Sequence, residues 1–199
     1  MVYIIKKYFK VKKVGHAGTL DPRATGLLII CTDSMTKKIN EFMDMEKEYE
    51  GIIGIGATTK TYDTESEEEN FKDTGFLNDT LVDEVRNLFL GETEQTPPIY
   101  SALKHKGIPL YKFAREGKKI EVKPRKIFIS SFELKLLNNK ELFFRVVCGK
   151  GTYIRTLAND IGEKLGCGGY LKTLRRTKIG DFSVSNLDGN VQGIHYRIV

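Results

Sequence analysis

The sequence predicts an α+β fold, because its strands and helices mix without the regular alternation of a doubly wound parallel sheet. Three observations carry this reading. Phe128–Leu137 and Leu142–Cys148 read as two strands joined at Asn138-Asn139, which predicts a hairpin. Leu81, Val85, Leu88 and Phe89 recur at helical spacing, as do Ile154, Leu157, Ile161 and Leu165. The chain has 199 residues, 40% of them hydrophobic and 29% charged, enough for one sizeable core without disulfide or metal staples.

Taken in order, Val2–Lys13 sets Val2, Ile5 and Phe9 apart from Lys6, Lys10 and Lys13, the pattern of a short basic amphipathic helix. Gly15–Gly26 holds three glycines and a proline and reads as a loop. Leu27–Cys31 is a short apolar run that suits a buried strand. Thr36–Met43 reads as helical, and Tyr49–Ile55 alternates as a strand does. Thr61–Asp73 is polar and acidic, the composition of a mobile loop. The next helix has Asn78–Thr80 as cap candidates and Gly91 as its stop. Pro97-Pro98 keeps Gln95–Lys104 out of any helix interior. Leu110–Arg115 forms a short helix ended by Gly117. After the hairpin, the helix marked by Ile154 has Thr152 before it as a cap and Gly166 after it, and Tyr170–Arg176 reads as a last short helix.

No apolar run approaches the ~20 residues of a membrane helix. Met1–Lys13 is too basic for a secretory signal, so the expected location is cytoplasmic. Cys31, Cys148 and Cys167 show no CxxC spacing, which argues against a disulfide framework and a Cys-based zinc site and for buried thiols. The net charge is +6, and it is segregated. Lys104–Lys126 carries nine Lys or Arg against Glu116 and Glu121, while acid collects at Glu41–Glu50 and Asp63–Asp73. That pattern suits a polyanion binder, and equally a solvated lysine-rich surface.

The segment richest in chemistry is Gly15-His16-Ala17-Gly18-Thr19-Leu20-Asp21-Pro22-Arg23-Ala24-Thr25-Gly26. It lacks the Lys and the spacing of a P-loop, and it fails the dinucleotide fingerprint. Pro22 pushes Asp21 away from helical geometry, and the glycines allow close backbone approach. A carboxylate fixed on such a loop serves as a nucleophile or general base. The competing reading is an Asp-Pro turn ahead of a strand.

The run GHAGTLDPxATGLL over Gly15–Leu28 resembles the signature loop of the TruB family of tRNA pseudouridine synthases. Further matches follow in the family's order: Lys47-Glu48-Tyr49, Thr61-x-Asp63, Gln95-x-Pro97-Pro98-x-Tyr100-Ser101-Ala102-x-Lys104, Gly151-Thr152-Tyr153-Ile154-Arg155-x-Leu157 and Leu174-Arg175-Arg176-Thr177. The resemblance implies a mixed, largely antiparallel sheet flanked by helices. It implies isomerisation of uridine 55 in the tRNA T loop, with no cofactor and no catalytic metal. Asp21 matches the catalytic aspartate, which stabilises charge on the sugar as the glycosidic bond breaks. Tyr49 matches the tyrosine that stacks on the flipped base, and Arg155 the arginine that orients the aspartate. Leu174 matches a leucine against the flipped base, His16 an RNA-contacting histidine, and Asp63 an aspartate near the arginine. Lys37 sits where the family has a basic residue. The segment holding Lys118 and Lys119 corresponds to its RNA-gripping insertion. The implied partner is the tRNA T arm. A monomer is the default expectation.

Family members open with a strand and a KPxGxTS loop, and many end in a PUA-type RNA-binding domain. Against that pattern, 1–199 is expected to be a single catalytic domain lacking both. The rival expectation is a tRNA-binding folding factor or degenerate homologue without catalysis.

Overall fold

A computed structural model describes residues 2–118, 120–185, 188–191, 194–196 and 198. Its centre is a seven-stranded sheet. In chain order the strands are β1 (Thr25–Gly26), β2 (Lys47–Ile55), β3 (Gly91–Gln95), β4 (Arg125–Asn138), β5 (Glu141–Cys148), β6 (Gly169–Ile179) and β7 (Phe182–Ser183). Their spatial order is β7-β6-β2-β5-β4-β3, with β1 added beside β6. The β1–β6 pair is parallel and the others are antiparallel, so the sheet is the mixed, largely antiparallel one expected. The helices are α1 (Val2–Tyr8), α2 (Ile39–Asp44), α3 (Asp79–Asn87), α4 (Leu110–Arg115) and α5 (Ile154–Lys164). Helix α3 packs on β4, and α5 on β6.

The core follows from strand periodicity. In β5, Leu142, Phe144, Val146 and Cys148 are all fully buried, every second residue. In β4 the buried set runs Ile127, Ile129, Phe132, Leu134, which breaks the period by one residue. A bulge between Ile129 and Ser131 absorbs the extra residue and returns the apolar side chains to the same face. Val82, Val85 and Phe89 from α3 and its following turn, and Leu157, Ala158 and Ile161 from α5, belong to the same cluster. Asn78 caps α3, its side chain accepting the Leu81 N–H at 3.0 Å.

Several sequence expectations change. Tyr170–Arg176 is not a helix but the heart of β6. Two register shifts, Leu171/Thr173 and Arg176/Lys178, put Leu171, Leu174, Arg176 and Ile179 inward at gaps of three, two and three. A doubly bulged strand therefore imitates helical spacing. The N-terminal helix stops at Tyr8, with Lys10 in the left-handed region at φ 53°. The strand expected at Leu27–Cys31 is confined to Ile30–Thr32, which pairs with Val14–His16. Thr152 does not cap α5; its hydroxyl donates to the Gly149 carbonyl at 3.0 Å, and Tyr153 takes the cap position. The hairpin turn is Asn139-Lys140, one residue later than expected. The segment Thr61–Asp73 is not simply a solvated loop, because Thr61 and Asp63 are buried and hydrogen-bonded.

Helix α5 generates two stability predictions. A Cβ on Gly162 would lie 2.1 Å from the Gly169 nitrogen. Gly→Ala inside a free helix gains about 1 kcal/mol, but here the clash with β6 reverses the sign. Gly162→Ala should lower the urea midpoint, and a raised midpoint would refute the close contact. Asp160 is half-buried, and burial raises its carboxyl from 3.8 to about 6. The folded state therefore binds this proton more tightly than the unfolded state, so its contribution to stability declines as pH rises through that interval. Asp160→Asn should be more stable than the parent at neutral pH, with the difference vanishing near the low end of the interval. Equal urea midpoints at neutral pH would contradict it.

Candidate active site

Asp21 is presented by a tight turn in which the Ala24 N–H donates to the Asp21 carbonyl at 2.9 Å. The Asp-Pro turn and the fixed carboxylate are thus the same object. The loop around it is anchored by Arg176, which is only 1% exposed. Its Nε donates to the Leu27 carbonyl at 2.7 Å and its Nη2 to the Gly18 carbonyl at 3.2 Å. The Leu27 N–H returns a bond to the Arg176 carbonyl at 2.8 Å. Gly26 makes the approach possible: its φ is +100°, and a Cβ there would lie 2.1 Å from the Arg176 oxygen.

Arg155 projects from the first turn of α5 and is 7% exposed. Its Nε donates to Asp21 Oδ2 at 2.9 Å and its Nη2 to Asp21 Oδ1 at 3.3 Å, a two-pronged pairing. Nη1 donates to the Thr61 carbonyl at 3.2 Å and Nη2 to the Tyr100 carbonyl at 3.1 Å. Asp63 Oδ2 lies 3.5 Å from Nη1. Asp63 is itself held by the Thr61 hydroxyl at 2.6 Å and the Glu65 N–H at 2.9 Å. One guanidinium therefore faces two carboxylates. The Asp63 side chain is 12% exposed and that of Asp21 40%, so Asp21 is the more open of the pair. Asp21, Arg23, Asp63, Arg155, Leu171 and Leu174 are among the residues lining one cleft.

Tyr49 lies in β2, across from Arg176 in β6 and Val146 in β5. Burial pushes its phenol up; the Arg176 guanidinium pulls the other way, and the Asp21 charge adds to the rise. The hydroxyl is therefore neutral at physiological pH. Two residues earlier, the buried Lys47 ammonium donates to the carbonyls of Phe42, Met43 and Met45 at 3.2, 2.6 and 2.5 Å. This ties the end of α2 to the strand that carries Tyr49.

The structure thus brings Asp21, Asp63, Arg155 and Leu174 to one cleft, with Tyr49 in electrostatic reach of Asp21. Tyr49 itself is not among the residues lining the cleft, and three other candidates do not line it either. His16 ends the short strand Val14–His16, with its Nδ1 buried and unpartnered. Lys37 is exposed on the 3-10 turn Asp33–Lys38. Lys118 is exposed and pairs with Glu116 at 2.8 Å. Lys119 lies outside the described residues. Sequence reasoning gave no role to Arg176 or Gln95, although both stand inside motifs that carried the resemblance. Their burial depends on partners far away in the chain.

Residues 6–154 match the model of the TruB family pseudouridylate synthase N-terminal domain, and residues 155–191 that of the tRNA pseudouridylate synthase B C-terminal domain. The chain is 52% identical over 174 residues to the tRNA pseudouridine synthase B of Flavobacterium johnsoniae, covering 87% of this chain and 76% of the relative. It is 47% identical over 195 residues to that of Chloroherpeton thalassium, covering 98% and 80%. Among solved structures, one of a Cbf5-Nop10-Gar1 complex superposes with a TM-score of 0.69 at 28% identity over 92% of this chain. The chain spans 45% of the length of that solved chain. Matches over nearly the whole length, together with the paired Asp21 and Arg155 in the cleft, lead to one conclusion: the chain belongs to the TruB family of pseudouridylate synthases.

Proposed function

We propose that the protein converts uridine to pseudouridine at position 55 in the T loop of tRNA, with Asp21 as the catalytic carboxylate. The observation that carries this reading is the two-pronged Arg155–Asp21 pair with Asp21 open to the cleft. Breaking the bond between C1′ and N1 builds positive charge on the sugar. A fixed carboxylate beside it stabilises that charge, either by bonding to C1′ or by taking a sugar proton. The freed base rotates, and C5 bonds to C1′ as the Asp21–C1′ bond breaks or the abstracted sugar proton is returned; the proton on C5 leaves and N1 takes one up. Product and substrate are isomers, so the overall reaction consumes no co-reactant.

The uridine reaches Asp21 by leaving the stack. Leu174, half-buried on the cleft wall, packs against the extruded base. Tyr49, on the adjacent strand β2, stacks on it. A neutral phenol accepts the C5 proton only while passing its own onward, so Tyr49 acts as a relay. Asp63, held by Thr61 and Glu65, supports Arg155 and does not itself react. His16 and Lys37 lie on the signature-loop side of the molecule and contact RNA outside the cleft. Lys118, Lys119 and their basic neighbours grip the phosphates of the T arm. The protein acts as a monomer in the cytoplasm, and 1–199 works as a single catalytic domain.

Asp21→Asn should reduce pseudouridine formation in unmodified tRNA by about three orders of magnitude while tRNA binding stays nearly intact. Turnover near the parent's would remove Asp21 from the mechanism. Lys118→Ala should weaken tRNA binding and reduce the slope of log K against log salt by about 0.9 if one phosphate contact is lost. An unchanged slope would take Lys118 off the RNA path.

A further inference from the structure

Gln95 closes β3 and is buried. Both ends of its side-chain amide bond to a single residue. Nε2 donates to the Tyr153 carbonyl at 3.1 Å, and Oε1 accepts the Tyr153 N–H at 2.8 Å. The side chain thus pairs with a backbone residue much as a neighbouring strand would. Tyr153 stands at the cap position of α5 and supplies no capping side chain, so the geometry of this first turn is set from outside. Its carbonyl also receives the Leu157 N–H at 3.0 Å, the first bond of the helix.

Arg125 lies directly across from Gln95, on β4. Its guanidinium stands 4.8 Å from the centre of the Tyr153 ring and donates to the Gly151 carbonyl. Gly151 has φ +83°, a left-handed conformation that favours glycine, and turns the chain so that its carbonyl meets Arg125. The cross-strand pair therefore grips both ends of the Gly151–Tyr153 turn. Arg155 follows two residues later. Five residues beyond Gln95, the Tyr100 carbonyl accepts from Arg155 Nη2. The β3 segment reaches the same guanidinium by two routes, one through the helix start and one directly.

We propose that Gln95, with Arg125 across the strand pair, is a positioning clamp that sets α5 so that the Arg155 guanidinium meets Asp21. This rests on the catalytic reading of Asp21. Neither clamp residue lines the cleft, so their effect passes through Arg155. Displacing a catalytic group by about 1 Å costs on the order of 10²-fold in rate, whereas phosphate contacts elsewhere are untouched.

The test compares the parent, Gln95→Glu, Arg155→Lys and the double variant. Gln95→Glu keeps side-chain length and the acceptor for the Tyr153 N–H, but sets an oxygen against the Tyr153 carbonyl. The single-turnover rate of pseudouridine formation should fall roughly 10- to 100-fold, with tRNA affinity little changed. In the double variant the rate should match that of Arg155→Lys alone, since the clamp acts through the missing guanidinium. In 15N-labelled protein, the Arg155 Nε–H resonance, assigned by its loss in Arg155→Lys, should move while the sheet amides stay. Fully additive rate losses, a loss of affinity equal to the loss of rate, or an unmoved Arg155 resonance would overturn the clamp. The resonance judges it even in a chain without turnover, while turnover by the parent separately judges the proposed activity. Should Gln95→Glu fail to fold, Gln95→Met removes both bonds without adding charge and is held to the same outcomes.

Discussion

A buried guanidinium has to be met on every side, and Arg155 imposes that demand on the whole site. Its donors are fixed in a planar fork, and an uncompensated buried charge costs several kcal/mol. Asp21, the Thr61 carbonyl, the Tyr100 carbonyl and Asp63 answer it. These acceptors come from three segments far apart in sequence, so one side chain draws three otherwise independent loops to the start of α5. The carboxylate that faces the cleft is one of those acceptors. The group proposed to react is thus fixed by the same interaction that satisfies the buried charge.

Arg176 does complementary work. Where Arg155 meets two carboxylates as well as carbonyls, Arg176 meets the carbonyls of Leu27 and Gly18, on either side of Asp21. It also sits opposite Tyr49 across the β2–β6 pair and opposes the burial that raises the phenol. One arginine therefore orients the carboxylate, and the other holds the loop that carries it and tunes its aromatic neighbour. Gly26 allows this because a side chain there would collide with the Arg176 backbone.

Much of the fold was legible where local pattern and tertiary role agree. The strand at Tyr49–Ile55, the capped helix after Asn78 and the hairpin at Asn138 were readable because alternation, caps and turn residues are local signals. Strand β6 was not, because its two bulges shift the inward residues to spacings that a helix also shows. The burial of Thr61 and Asp63 was hidden behind an acidic composition, since what buries them is an arginine on α5. Asp21 stood out as a proline-constrained carboxylate among glycines, and its partner was named only through the family motif. Arg176 and Gln95 carried no local signal of burial, because a charge or an amide is buried only where distant acceptors and donors meet it.

The role proposed for Asp21, held by Arg155, is to drive uridine isomerisation in the T loop. Making the new C5–C1′ bond expels the hydrogen of C5, so tRNA labelled with tritium at uridine C5 reports the reaction directly. The parent protein should release tritium from position 55, and none when the T-loop uridine is replaced by cytidine. A folded protein that binds this tRNA and releases no tritium from position 55 would contradict that role.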